Sequence, residues 1–239
     1  MKMPAQDMKD WRGVNAPDKT VIEGHYVTLE PLNAARHAAS LWQEYQGAEE
    51  NWRYLLTHPF ATREDFIAWM SAAQVAEDTL YFAIVDKQTG RARHSSHGAL
   101  GIISYLRIDS GNGVIEIGHL NFSPALKQTR MATDALYSMI DHAFALGYRR
   151  VEWKCDNHNQ PSKKAALRLG FTFEGVFRQH LIVKGLNRDT AWFSLLDYEW
   201  PEQRHAFQQW LAEDNFTPQG KQRHPLAYFQ RLSQADSLS

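Results

Sequence analysis

Residues 116–136 read EIGHLNFSPALKQTRMATDAL and residues 149–171 read RRVEWKCDNHNQPSKKAALRLGF. These two blocks decide the fold. Val114 to Phe122 has the length and alternation of a strand. From Met131 the period changes. Met131, Ala135, Leu136, Met139, Ile140, Ala143 and Phe144 recur every three or four residues, which makes one apolar helix face, and Gly147 stands where a left-handed cap would end it. Arg150 to Cys155 returns to a strand, with Val151, Trp153 and Cys155 in phase. Asn159 to Leu169 is a short helix with Pro161 in its first turn, where a missing N–H costs little. A strand, a helix and a second strand imply a parallel, right-handed crossover.

Further strands are expected at His25 to Leu32, Leu80 to Asp86, Ala99 to Ile108, Thr172 to Arg178 and Thr190 to Asp197. Asn33 caps a helix with an apolar face at Ala34, Ala38, Leu41, Trp42 and Tyr45. Thr62 with Asp65 approximates a capping box ahead of Phe66, Ile67, Trp69, Met70 and Ala73. Turns fall at Lys87–Gly90, Asp109–Gly113 and Gly185–Arg188. The pattern predicts an α/β (mixed α+β) domain: a central mixed, twisted sheet of about seven strands with helices on both faces, plus an extra C-terminal helix. Residues 1–20 read as an arm and 21–200 as the domain. Residues 201–239 form a helix and tail that pack on the domain or extend it. The helix there carries Phe207, Trp210 and Leu211. An island at Leu226, Tyr228, Phe229 and Leu232 is expected to dock, and the final residues to be disordered.

Composition narrows the function. The chain has 239 residues, 44% apolar and 22% charged, with a net charge of −1. That gives no basic footprint for nucleic acid and no polybasic membrane attachment. The single cysteine, Cys155, excludes an intrachain disulfide and fits a reducing compartment. The N-terminus has no apolar h-region, and no window approaches 18 apolar residues, so a cytoplasmic location is expected. His94 and His97 have a loose metal spacing without a third ligand, so no metal is expected. A helix start after the Val114 strand exposes unpaired N–H groups that suit a phosphate, with donors at Lys127, Gln128, Thr129 and Arg130. An ordinary βα connection with solvated charges has the same sequence.

The two blocks together resemble the GNAT (Gcn5-related N-acetyltransferase) superfamily, and its RimJ/RimL-like branch in particular, over roughly His25 to Asp197. EIGHLNFSP is similar to the family's central strand, which ends in a bulge. KQTRMATDAL resembles the pyrophosphate loop for acyl-CoA. Asn159 to Phe171 resembles the second CoA-contacting motif. The family loop usually reads Gln/Arg-x-x-Gly-x-Gly/Ala. Here Lys127, Arg130 and Ala132 stand at those positions, so an arginine replaces the first glycine and either points outward or grips a phosphate.

The resemblance implies an acyl-CoA-dependent N-acyltransferase. Its co-substrate would be acetyl-CoA (coenzyme A), held by Leu120, Asn121, Phe122, Lys127, Gln128, Thr129, Arg130, Met131, Ala132, Thr133, Asn159, Ser162 and Lys163. It implies direct attack of a primary amine on the thioester in a ternary complex. The acceptor would be a protein N-terminus or a small molecule. At pH 7 an α-amine is about 14% neutral and a lysine about 0.04%, so an N-terminal acceptor asks less of a base by about 300-fold.

Glu116 is the candidate base, an interior carboxylate that either enters a cleft or pairs with a cation. Gly118 on the same side leaves space beside it. His119, expected on the opposite face, is a lesser candidate. Cys155 and Ser162 are candidate proton donors to the leaving thiolate. The Trp52-Arg53-Tyr54 turn is a candidate wall for the acceptor pocket. A non-catalytic CoA-binding or regulatory module, an N-succinyl-type transferase and a homodimer stay open alternatives.

Overall fold

The computed structural model describes residues 7–87 and 98–236, with side chains as far as Ser233. The strands are β1 (Ile22–Glu23), β2 (Val27–Pro31), β3 (Thr79–Asp86), β4 (Ala99–Asp109), β5 (Val114–Phe122), β6 (Arg150–Asp156), β7 (Thr172–Val183) and β8 (Leu186–Leu196). The helices are α1 (Ala34–Glu44), α2 (Arg63–Ala73), α3 (Arg130–Ala145), α4 (Gln160–Arg168), α5 (Trp200–Leu211) and α6 (Leu226–Asp236). The strands form one eight-stranded mixed sheet in the order β1-β2-β3-β4-β5-β6-β8-β7. The additional strand is the two-residue β1, too short to carry an alternation signal. The expected turn at 87–90 and the His94–His97 pair fall largely outside the described residues. No described helix is long and apolar enough to cross a membrane.

The caps form as the sequence dictates. Asn33 accepts the Arg36 amide at 3.0 Å, and Thr62 accepts that of Asp65 at 3.1 Å. Gly147 takes φ +93 behind α3. One turn differs. Val183 pairs with Leu186, so Lys184 and Gly185 form the two-residue hairpin connection, with φ +51 and +76. Positive φ at both central residues is the geometry whose twist matches the flanking strands. Arg188, expected in the turn, therefore lies inside β8.

Two apolar cores lie on opposite faces of the sheet. The larger gathers Ile115 and Ile117, Val151, Trp153 and Cys155, and Ala191, Phe193 and Leu195 under α3, α4 and α5. It extends to Trp210, Phe216 and Leu226, so the C-terminal segment shares this core and its island becomes α6. The second core packs α1 and α2 against Ala83, Val85, Ala99 and Ile102, and no residue of β5, β6 or β8 belongs to it. On that face, the half of the sheet from β5 to β8 is therefore free to carry polar groups. Residues before β1 also pack. Trp11 donates its indole N–H to the Gly111 carbonyl at 2.6 Å, with Arg149 over its ring. Buried Asp134 of α3 accepts the amides of His25, Tyr26 and Val27 at 3.1, 2.7 and 3.1 Å. One carboxylate thus fixes α3 to the start of β2.

Candidate active site

The central feature is a pair of parallel strands that part. β5 and β6 pair at Val114–Arg150, Ile115–Val151 and Glu116–Glu152, and nowhere beyond. Past Glu116, β5 carries a bulge. Ser104 pairs with Gly118 but Ile102 with Asn121, and His119 takes φ +49. An extra residue bends one strand and re-aims a side chain, which opens a gap at the C-terminal ends of β5 and β6.

The loop after β5 brings the start of α3 to this gap. Thr129 caps α3, and its hydroxyl accepts the Ala132 amide at 3.2 Å. The Thr129 and Thr133 amides bond to the Leu126 and Thr129 carbonyls. The amides of Gln128, Arg130 and Met131 have no partner among the described residues, while those of Thr129, Ala132 and Thr133 serve the helix itself. Three free N–H groups at a helix start fit an anion.

Arg130, expected to point outward or to grip a phosphate, is half-buried against aromatic rings. Its guanidinium lies 4.1 Å from the Tyr26 ring centroid and 5.5 Å from that of Phe216. The Lys127 ammonium bonds the side-chain carbonyl of Asn51. Asn51, which the sequence did not mark, donates to the Phe122 carbonyl at 2.8 Å and to the Asn121 side chain at 3.3 Å. Tyr45 donates to the Asn121 carbonyl at 2.8 Å. The carbonyls of Asn121 and Phe122 are thus engaged by the protein, and Leu120 packs against the larger core.

Across the gap, Asn159 caps α4 by accepting the Ser162 amide at 3.2 Å, which leaves its NH₂ unpartnered among the described residues. Lys163 is held by the Asn157 side chain at 2.9 Å. The Ser162 hydroxyl accepts from the Trp153 indole at 3.0 Å, so its own proton remains to donate. Cys155 is buried, and burial pushes its thiol above the usual range against the opposing pull of Ser162, Arg188 and Lys163. It stays protonated at neutral pH.

Glu116 is 2% exposed and lies on the face of the second core, in the half that α1 and α2 do not cover. Lys154 Nζ is 2.9 Å and Arg107 Nε 3.5 Å from its Oε2. Burial outweighs both cations and lifts the carboxyl to about 7. The space expected beside Gly118 is filled. A Cβ there would come within 2.8 Å of a Leu106 methyl and 3.3 Å of the Glu116 carboxylate.

His119 was expected on the far face, but the bulge turns it to the Glu116 side. Its Nδ1 is 3.0 Å from the Ser104 hydroxyl, and its ring is 5.1 Å from that of Tyr81. Ser104 also donates to the Gly118 carbonyl at 3.1 Å, a bond that favours the tautomer with the proton on Nδ1 and the lone pair on Nε2. Burial, then Lys154, holds the imidazole below its ordinary value, so it is neutral at pH 7. His119 lines a small pocket with Trp52, Trp69, Tyr81, Ile102 and Asn121. Of the Trp52-Arg53-Tyr54 turn only Trp52 reaches this pocket, while Tyr54 bonds the His158 carbonyl.

Comparison with known proteins places this arrangement. Residues 27–172 match the family described as "Acetyltransferase (GNAT) domain". A crystal structure of a GCN5-related N-acetyltransferase from Brucella melitensis is 43% identical, covering 93% of this chain and 99% of its own, with a TM-score of 0.88. An uncharacterized N-acetyltransferase, p20, from Bacillus licheniformis is 28% identical over 66% of this chain and 86% of its own. A putative ribosomal N-acetyltransferase, YdaF, from Bacillus subtilis (strain 168) is 33% identical over 42% of this chain and 55% of its own. The chain belongs to the GNAT acetyltransferase family, and it is an N-acetyltransferase.

Proposed function

We propose that the protein transfers the acetyl group of acetyl-CoA to a primary amine by direct attack in a ternary complex. The observation that carries this reading is the parting of β5 from β6 beside the three free amides of Gln128, Arg130 and Met131. Those amides would hold the pyrophosphate, with the Asn159 NH₂ available to the pantetheine arm. Acetyl-CoA supplies the thioester carbon. The amine nitrogen forms a bond to that carbon, the carbon–sulfur bond breaks, and the sulfur takes a proton.

The chain's own residues move the protons. An ammonium has no lone pair, so it must first lose a proton. Glu116, with its carboxyl near 7, is half ionised at neutral pH and matched to accept one. Ser162 and protonated Cys155, on the α4 side, return a proton to the sulfur. A second reading gives the base role to His119, because it lines the acceptor pocket with Nε2 unprotonated. The two differ in pH dependence, with a rate limb near 7 for Glu116 and one below the usual histidine value for His119. We place the catalytic unit at residues 21–200, with 201–239 packed on it.

Thiol release from acetyl-CoA against a panel of peptides and small amines tests the reading, alongside calorimetric titration with coenzyme A. Saturable binding and acceptor-dependent release are expected. Absence of binding heat would remove the proposal.

A further inference from the structure

The face that carries Glu116 holds a cation with no counter-ion among the described residues. Arg188 of β8 is 8% exposed, yet it makes no hydrogen bond or ion pair among the described residues, and its Nε is wholly buried without an acceptor. Buried guanidinium groups are almost always paired, because an unpaired buried charge is costly. The Trp192 indole N–H, four residues along the same strand, is likewise buried without an acceptor.

Both residues face the proposed acceptor side. Ala191, Phe193 and Leu195 enter the larger core, so by alternation Arg188, Thr190 and Trp192 point the other way. Trp192 confirms this, since Arg107 and Lys154 lie 5.3 and 5.2 Å from its ring and both flank Glu116. At the other end of the hairpin, Lys184 donates to the Trp52 carbonyl at 2.6 Å. Arg188 therefore lies between the Trp52 turn, which walls the pocket, and the Trp192–Glu116 cluster. His180, bonded to Thr190 at 2.9 Å, is held below its ordinary value by burial and then by Lys154, Arg188 and Arg107. Lys154 and Arg107 share the carboxylate of Glu116, and Arg188 has no carboxylate partner among the described residues.

We infer that Arg188, with the Trp192 indole beside it, receives an anionic group of the acceptor, so that the substrates are primary amines bearing a carboxylate or a phosphate. This rests on the acyltransferase reading and adds the acceptor's chemical class. Guanidinium binds both anions through paired N–H donors. The amine would face the β5–β6 gap and the anion would lie under the hairpin.

The test uses the full chain, acetyl-CoA and matched amines. One arm compares ω-amino acids with their carboxamides. The other compares aminoalkyl phosphates with aminoalcohols, which separates the two anion sources. The anionic member of the preferred pair should have a KM lower by about 10- to 100-fold, the range for a charge-assisted contact. Arg188→Met should erase that preference by raising the anionic member's KM far more than the neutral member's, while Arg188→Lys retains part of it. An equal preference in wild type and Arg188→Met would overturn the inference. Thermal protection by the anionic amine in the presence of coenzyme A gives a readout that needs no turnover. Protection lost in Arg188→Met supports the role even if acetyl transfer fails with every amine. The ligand-free Arg188→Met protein should melt no lower than wild type. A clear fall would mark the guanidinium as structural and overturn the proposal.

Discussion

Replacing Glu116 by glutamine keeps the shape and removes the charge. Burial lifts this carboxyl from 4.5 to about 7, a cost to the ionised form of about 3 kcal/mol at 1.36 kcal/mol per tenfold change. Two consequences follow, with different assays. In thiol-release kinetics, wild-type kcat/KM should rise about tenfold per pH unit from 5 to 7 and level off above, as the base ionises. Glu116→Gln should lower the plateau by about 10²- to 10⁴-fold, the range for a positioned base, and remove the inflection near 7. In denaturant melts, a carboxyl raised in the folded state contributes stability that is full below about 4.5 and lost as pH rises through about 7. Wild type minus Glu116→Gln should therefore fall by about 3 kcal/mol between those limits. Lys154 and Arg107 lose their counter-charge in the variant, which offsets the whole curve but not its slope in this window. Unchanged rates with the inflection retained would transfer the base role to His119. A flat stability difference would refute the buried, near-neutral carboxyl itself.

Arg130→Gly should leave the Kd for coenzyme A within about threefold and lower stability by about 1 kcal/mol, because the side chain stacks on Tyr26 and Phe216. Calorimetry and melting would check both, and a Kd weakened tenfold would return Arg130 to the phosphate. Ser162→Ala and Cys155→Ala assign the proton to the leaving sulfur. The true donor's removal should cut kcat about 100-fold with little change in KM, and the other should behave as a packing change. Asp134→Ala should destabilise by about 3 kcal/mol or more, since three backbone amides lose one carboxylate. A loss under about 1 kcal/mol in urea would show that water replaces it.

What the sequence disclosed follows the range of the forces involved. Helix periodicity, the Asn33 and Thr62 caps and the Gly147 terminus are set by residues a few positions apart, so they are legible in a window of a dozen. The gap between β5 and β6 was legible only through likeness to a family, because parting is a relation between residues 116 and 152. The bulge that ends β5 was likewise expected only through the family likeness, and its effect on His119 was not. The bulge at His119 reverses the face of that side chain, and no local composition announces it. Displacing the hairpin turn from 185–188 to 184–185 carried Arg188 from solvent into a covered strand. Asn51 escaped notice because its partners, Phe122 and Lys127, are some 70 residues away.

The charge cluster illustrates the same limit. Arg107, Glu116, Lys154 and Arg188 come from four different strands, and each reads alone as an ordinary strand charge. Only the strand order β4-β5-β6-β8 places them on one face, and only the absence of α1 and α2 from that half of the face keeps them from being covered by apolar side chains. The polarity of this half of the face is thus a property of where the second core stops. A substitution that extended that core toward β5, such as Ser104→Leu, should abolish turnover. It should leave the amides at the start of α3, and hence coenzyme A affinity, untouched. Loss of both together would mean that the two halves of the site are not built independently.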